Sequence, residues 1–283
     1  MKTVATVSDL RAEIAGWRQQ GLNVAFVPTM GNLHQGHLDL CRRAAELADK
    51  VVVSIFVNPL QFGANEDLDS YPRTLAADQE KLTAQGVALL FSPTEDQLYP
   101  FGKAASCRVN VPGLTEQLCG AHRPGHFEGV ATVVTKLLNL VAADVAVFGE
   151  KDFQQLAVIR RMAADLYIPT RIEGVATTRE PSGLALSSRN GYLSAEQRQQ
   201  AAGIYAALQQ AAVELQQGKP CLIVEANGRQ TLSRAGFEVE YFSVCDVETL
   251  QPLQPPADQA AILVAARLGR TRLIDNLRVY LRK

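Results

Sequence analysis

Apolar residues in this chain fall into two kinds of run. Short stretches at residues 23–27, 51–57, 87–91 and 144–148 are dominated by apolar side chains, and residues 171–175 read as the last strand of this half. Runs of that length and composition predict strands covered on both faces of a sheet. Between them, apolar residues recur at helical spacing. Leu38, Leu40, Cys41, Ala44, Ala45 and Leu47 predict a helix up to Asp49, and further helices are expected over about 74–85, 130–141 and from the 150s to Leu166. Ser8 is the expected N-cap of an opening helix that Gly21 closes after Gln20. Strands alternating with helices predict an α/β fold built on a parallel sheet. Residues 107–111 read as a further short strand, either at a sheet edge or at a subunit contact, and the polar run 65–71 reads as a mobile loop.

Beyond Gly191 the pattern changes. Ser194-Ala-Glu-Gln197 has the form of a capping box opening one long helix to about Gln217, followed by a shorter helix over about 222–234. Three strand patterns come next, at 239–246, 259–267 and 271–279, with Gly269 at the last turn. This half is a small α+β domain. The expected boundary divides residues 1–178 from 179–283, with a hinge near residues 175–190.

Composition narrows the possibilities. Of 283 residues, 47% are apolar, enough for a large core, and the net charge of −1 with no long basic block argues against a broad nucleic-acid footprint. Cys41, Cys107, Cys119, Cys221 and Cys245 are scattered without a Cys-x-x-Cys pair, which disfavours zinc fingers and a disulfide framework. Asp9, Arg11 and Glu13 stand where a signal peptide would need an apolar run, and no stretch approaches the ~18 apolar residues of a membrane helix. The expectation is a soluble cytoplasmic protein with no nucleic-acid or membrane partner.

The candidate chemistry lies in the loops after the strands. Pro28-Thr-Met-Gly-Asn-Leu-His-Gln-Gly-His37 joins a buried strand to a helix. A helix N-terminus offers free amides and a positive dipole end to a phosphate. His34 and His37, three residues apart, can turn both imidazoles to one ligand as hydrogen-bond donors. After the next strand, Gln61 offers a donor and an acceptor for a hydroxyl or a carboxylate. In Gly149-Glu-Lys-Asp-Phe-Gln-Gln155, Lys151 is placed to reach phosphates. Asp152 is placed to hold a ribose hydroxyl or a metal, or to cap the helix. Gln155 falls where it could face the same crevice as Gln61. Arg123 and His126 lie in a turn shaped by Pro124 and Gly125. Ser187, Ser188 and Arg189 put two hydroxyls and a guanidinium in a row, a form suited to a phosphate clamp.

The His-x-Gly-His pattern resembles the signature of the nucleotidylyltransferase superfamily, and Leu186-Ser-Ser-Arg-Asn190 resembles the Lys-Met-Ser-Lys-Ser loop that partners it. Together with Ser54-Ile-Phe-Val-Asn-Pro-Leu-Gln-Phe62, Arg123-Pro-Gly-His-Phe127, Gly149–Gln155 and Arg272-Leu-Ile-Asp-Asn276, these stretches occur in the order of the pantoate–β-alanine ligase family and resemble it over most of the chain.

That resemblance implies a Rossmann-like nucleotide-binding domain with a smaller C-terminal lid. It implies an ATP-dependent condensation of (R)-pantoate with β-alanine through pantoyl adenylate, with Mg²⁺ accompanying ATP, in a homodimer. Met30, Gly31, Asn32, Leu33, His34, Gln35, Gly36 and His37 would line the ATP site. So would Gly149, Glu150, Lys151, Asp152, Thr178, Leu186, Ser187, Ser188 and Arg189. His34, His37, Lys151, Ser187 and Arg189 would act on the phosphates, with His37 as proton donor or as phosphate stabiliser. Gln61 and Gln155 would bind pantoate, Gln61 would also meet β-alanine, and no residue is expected to bind a metal directly. The roles of Arg123 and His126 stay open. The competing readings are a nucleotidyltransferase that keeps the nucleotide in its product, a tRNA synthetase, and a catalytically silent nucleotide sensor. The paired glutamines suit a small polyol acid and count against the first. The absence of a basic face counts against the second, and the presence of His37, Lys151 and Arg189 against the third.

Overall fold

The structure, a computed structural model, describes residues 1–63, 66–254 and 256–281. Asn65, the first residue of the expected 65–71 loop, lies outside the described residues. The chain divides into two compact units. One comprises Met1–Glu150 and Gln155–Ala176, the other Lys151–Gln154 and Thr177–Lys283.

The first unit is built on a six-stranded sheet of β1 (Lys2–Val4), β2 (Val24–Thr29), β3 (Lys50–Ile55), β4 (Leu89–Phe91), β5 (Val145–Gly149) and β6 (Arg171–Val175). Their order is β1-β4-β3-β2-β5-β6, and every neighbouring pair is parallel. The helices of this unit are α1 (Val7–Gln19), α2 (Gln35–Leu47), α3 (Leu75–Ala84), α4 (Glu95–Leu98), α5 (Cys119–His122), α6 (His126–Val141) and α7 (Phe153–Asp165), the last contributing from Gln155 onward. Strand side chains alternate between two covered faces. Ala25, Val27, Val51, Val53, Leu90, Val145 and Val147 join Leu40, Cys41 and Ala44 of α2 and Leu82 of α3 in one apolar core. α6 packs against α1 and β2. Because both faces are covered, the strands read as continuous apolar runs and were legible without alternation.

The strand order has a direct consequence for ligands. From β2 the chain steps outward to β3 and β4, then returns to place β5 on the other side of β2. Open α/β sheets bind ligands outside the carboxyl ends of the strands at such a reversal. Here those ends are Thr29, which leads into the histidine turn, and Gly149.

Several expectations need adjusting. Thr6, not Ser8, caps α1, its hydroxyl accepting from the Asp9 amide at 3.1 Å. Residues 107–111 form no strand, and the Val109 amide instead donates to Thr132 Oγ1 of α6 at 3.0 Å. α6 begins at His126, four residues before the apolar run, because Gly125 takes a left-handed conformation (φ +80°) that lets the chain enter the helix there. β1 is too short to show in the hydrophobic pattern.

The second unit carries α8 (Ala195–Ala201), α9 (Gly203–Gln216) and α10 (Cys221–Arg234) with an antiparallel sheet of β7 (Glu238–Cys245), β8 (Gln259–Leu268) and β9 (Thr271–Tyr280). The Ser194–Gln197 capping box forms as expected, but the expected single helix is interrupted between α8 and α9 at Ala202-Gly203. Among the described residues no helix is long and apolar enough to cross a membrane. Leu208, Ala211, Val224 and Leu232 pack on Phe242, Val244, Ile262 and Val264. α10 approaches β7 so closely at Gly228 that a Cβ there would lie 2.5 Å from the Phe242 ring. Gly228→Ala should therefore destabilise the full chain by about 1–3 kcal/mol through overpacking. A urea unfolding curve checks this, and an unchanged midpoint would show that the ring moves aside freely.

Candidate active site

The turn after β2 is held from inside the protein. Gly31 (φ +81°) and Asn32 (φ +50°) both take left-handed conformations. At Gly31 a Cβ would meet Ile55 Cγ2 at 3.0 Å and Asp78 Oδ2 at 3.2 Å, so glycine suits both the angle and the space. Asp78 of α3 is fully buried. Its Oδ2 accepts from the Asn32 amide and its Oδ1 from the Leu33 amide, each at 2.8 Å, while Thr74 Oγ1 donates to Oδ2 at 3.0 Å. One turn further along α3, Lys81 Nζ donates to the Leu33 carbonyl at 2.7 Å. Two amides inside the expected ATP-binding stretch thus point at a protein carboxylate, and the turn enters α2 with its backbone already fixed.

α2 then opens at Gln35 with His34 as its N-cap. The His34 amide donates to His37 Nδ1 at 3.3 Å. A backbone amide can only donate, so His37 Nδ1 is the acceptor in this contact and Nε2 is the ring's donor nitrogen. The two histidine rings lie 4.1 Å apart between centroids, tilted by 37°. The turn therefore presents an imidazole donor at a helix N-terminus, where an oxyanion is favoured. Cys41, one turn further into α2, is buried, and burial pushes its thiol up to about 12.

Gln61 ends the short 3₁₀ turn Pro59–Gln61 after β3. Its Nε2 contacts Met30 Sδ at 2.8 Å, which brings the first expected pantoate residue against the head of the histidine turn. Its carbonyl meets His126 Nδ1 at 2.8 Å and Arg123 Nη2 at 3.3 Å. Arg123 Nε donates to Glu66 Oε1 at 2.6 Å, and its Nη1 lies 3.0 Å from His126 Nε2. Burial raises the Glu66 carboxyl, but hydrogen bonds from Arg123, the Arg123 charge and the Gly63 amide outweigh it and hold the group below its ordinary value. Arg123 and His126, whose roles the sequence leaves open, thus brace the backbone of Gln61. Gly129 of α6 lets this turn approach, since a Cβ there would sit 2.2 Å from the Leu60 carbonyl oxygen. Gly149 ends β5, Glu150 follows it, and Gln155 occupies the first turn of α7.

The remaining expected site residues belong to the second unit. Lys151 Nζ lies 3.8 Å from Asp152 Oδ1, and Asn276 Nδ2 of β9 donates to the Lys151 carbonyl at 2.9 Å. Next to Asn276, Asp275 grips Arg179 through both oxygens, at 2.6 and 2.9 Å. The Leu186 amide donates to the Thr178 carbonyl at 2.9 Å, closing a hairpin over residues 178–186. Ser187 Oγ accepts from the Arg189 amide at 3.2 Å and opens the 3₁₀ turn Ser188–Tyr192. Buried Asn190 ties that turn back to the Ala185 carbonyl at 3.0 Å. The supports for these residues, Asp275 and Asn276, lie about a hundred residues downstream in the sequence. They were visible as part of the Arg272–Asn276 run, but nothing in the sequence said what they hold. Among the described residues no group of three or more His, Cys, Asp or Glu is arranged to hold a metal ion.

The strand order and the histidine-bearing turn at its reversal point define an α/β enzyme of the nucleotide-binding class. Comparison with known proteins carries this further. The family model described as pantoate–β-alanine ligase matches residues 2–278. The chain is 58% identical to the pantothenate synthetase of Pseudomonas putida (strain W619), over 99% of this chain and 98% of that protein. It is 56% identical to that of Hahella chejuensis (strain KCTC 2396), over 99% of this chain and all of that protein. The crystal structure of pantothenate synthetase from Thermus thermophilus superposes with a TM-score of 0.91 at 47% identity, covering 99% of this chain and 100% of that one. Pantoate–β-alanine ligase from Francisella tularensis, solved in complex with β-γ ATP and β-alanine, superposes with a TM-score of 0.82 at 33% identity, covering 98% and 97% of the two chains. The chain belongs to the pantoate–β-alanine ligase family.

Asp78→Ala should leave the Asn32 and Leu33 amides without their buried acceptor. At about 1–3 kcal/mol for each orphaned group, the variant should lose at least about 2 kcal/mol. Urea unfolding measures the loss, and wild-type stability in this variant would contradict the arrangement.

Proposed function

We propose that the chain joins (R)-pantoate to β-alanine in two half reactions at the expense of ATP. The observation that carries the reading is the placement of His37 at the N-terminus of α2, at the sheet's reversal point, with Gln61 against Met30. The naming of its relatives as pantothenate synthetases and the ATP- and β-alanine-bound state of the Francisella protein support it. A carboxylate is a poor acyl donor, and adenylation supplies a leaving group. In the first step a pantoate carboxylate oxygen bonds to the α-phosphorus of ATP, the bond to the bridging oxygen of the β-phosphate breaks, and pyrophosphate departs. In the second the β-alanine amine attacks the acyl carbon, its ammonium proton is lost, and AMP leaves with the electrons of the acyl–oxygen bond.

Attack at phosphorus needs positioning and charge neutralisation more than covalent chemistry. On this reading the imidazoles of His34 and His37 donate to phosphate oxygens, and His37, with Nε2 as its donor nitrogen, is suited to stabilising charge there. Lys151, Ser187 and Arg189 neutralise the triphosphate, and Ser188 and Leu186 flank them. Gly149 and Asp152 serve the ribose end, Glu150 lines the ATP site beside them, and Thr178 serves the adenine. Residues 30–37 line the nucleotide, although the Asn32 and Leu33 amides contribute through Asp78. Gln61 and Gln155 bind pantoate, and Gln61 also meets β-alanine. Mg²⁺ enters as the Mg–ATP substrate. The protein works as a cytoplasmic homodimer.

Incubation with Mg–ATP, pantoate and β-alanine should yield pantothenate, AMP and pyrophosphate in equal amounts. Formation of ADP, or of no nucleotide product, would overturn the reading. Lys151→Ala should lower turnover by ~10²-fold or more, as removing one transition-state donor does, and near-normal turnover would remove Lys151 from its assigned role.

A further inference from the structure

Tyr99 is a buried tyrosine that the reaction scheme does not use. It follows α4, and its residue is 1% exposed, as is Asn58. Its hydroxyl donates to Asn58 Oδ1 at 2.7 Å, and the Leu60 amide approaches the same oxygen at 3.3 Å. Two donors converging on one atom identify it as the oxygen of the Asn58 amide. The Asn58 nitrogen must then face the other way, and there it meets two acceptors, the Gly129 carbonyl at 3.1 Å and Gln61 Oε1 at 3.2 Å. That contact in turn spends the oxygen end of Gln61, and its NH₂ is left pointing at Met30 Sδ, 2.8 Å away, beside the histidine turn. The tyrosine itself is locked. Lys136 Nζ sits 4.9 Å from its ring centroid and donates to the Leu98 carbonyl at 2.9 Å, and the Phe56 ring lies 6.2 Å away. Burial raises its hydroxyl well above the ordinary phenol range, so the group remains a donor.

We propose that Tyr99 is a positioning residue for Gln61. Acting through Asn58, it sets which end of the Gln61 amide faces the ligand, so that this subsite offers a donor and selects an acceptor oxygen, a hydroxyl or carboxylate oxygen of the acid substrate. The inference rests on the assignment of Gln61 to pantoate binding. The main chain of Gln61 is fixed separately by Arg123 and His126, so the Tyr99 link governs amide orientation and not the place of the residue.

The test is Tyr99→Phe, which keeps the ring and removes only the hydroxyl, with Lys136→Met as the comparison that disturbs the ring's packing and leaves the hydroxyl. Pantoate half-saturation should rise about 5- to 10-fold in Tyr99→Phe, the effect of one lost oriented hydrogen bond. ATP half-saturation and turnover at saturating pantoate should stay within about two-fold. Lys136→Met should lower the melting temperature without moving pantoate half-saturation. A purely structural tyrosine would lower turnover and stability together and leave half-saturation alone, and unchanged pantoate half-saturation in folded Tyr99→Phe overturns the proposal. A second measurement needs no variant to fold. In the ¹⁵N spectrum of the wild-type protein, the Asn58 side-chain NH₂ should be protected from solvent exchange, and that of Gln61 should shift on adding pantoate. Rapid exchange of the Asn58 NH₂ would overturn the orienting chain even if the wild-type enzyme showed no pantoate dependence. That last result would instead defeat the ligase reading.

Discussion

One buried carboxylate holds the histidine turn in place. The Asp78 oxygens take the amides of Asn32 and Leu33, and Lys81 on the same helix takes the Leu33 carbonyl. A loop containing two left-handed residues has no regular ladder to satisfy its backbone, and buried amides without partners are costly. α3 supplies the missing partners. Three features depend on that anchoring: the entry into α2, the N-cap position of His34, and the placement of His37 so that the His34 amide meets its Nδ1. Which nitrogen of His37 donates is thus set by backbone geometry that is itself set from the core.

A second frame grows from the neighbouring strand. Gln61 is gripped at its carbonyl by Arg123 and His126, and at its amide by Asn58. Gly129 permits the approach of α6 that brings these groups within reach. Both frames stand at the carboxyl ends of adjacent parallel strands, β2 and β3, where the sheet topology opens a crevice.

Much of this was legible in the sequence. Doubly covered strands such as β2, β3 and β5 announce themselves as apolar runs, whereas β6, Arg-Ile-Glu-Gly-Val at the edge of the sheet, is only partly buried. The histidine turn is recognisable because its glycines and histidines occupy fixed places between a strand and a helix. The long-range partners stayed hidden. Asp78 sits on an ordinary amphipathic helix, 46 residues from the amide it binds, and nothing local distinguishes it from a solvated aspartate. Asp275 and Asn276 lie in a strand whose alternation gives no hint that they hold Arg179 and Lys151. Local pattern encodes elements, whereas these contacts are set by topology. The early start of α6, just after Gly125, has the opposite cause: one residue's backbone freedom overrides a longer hydrophobic pattern.

The central claim is that the pantoate carboxylate is activated by adenylation before the amine takes part. Exchange of labelled pyrophosphate into ATP, with Mg²⁺ and pantoate present and β-alanine withheld, tests it most directly. The expected result is exchange that requires pantoate, followed by release of AMP when β-alanine is added. No exchange without β-alanine, with AMP appearing only when all three substrates are present, would contradict a free-standing adenylation step.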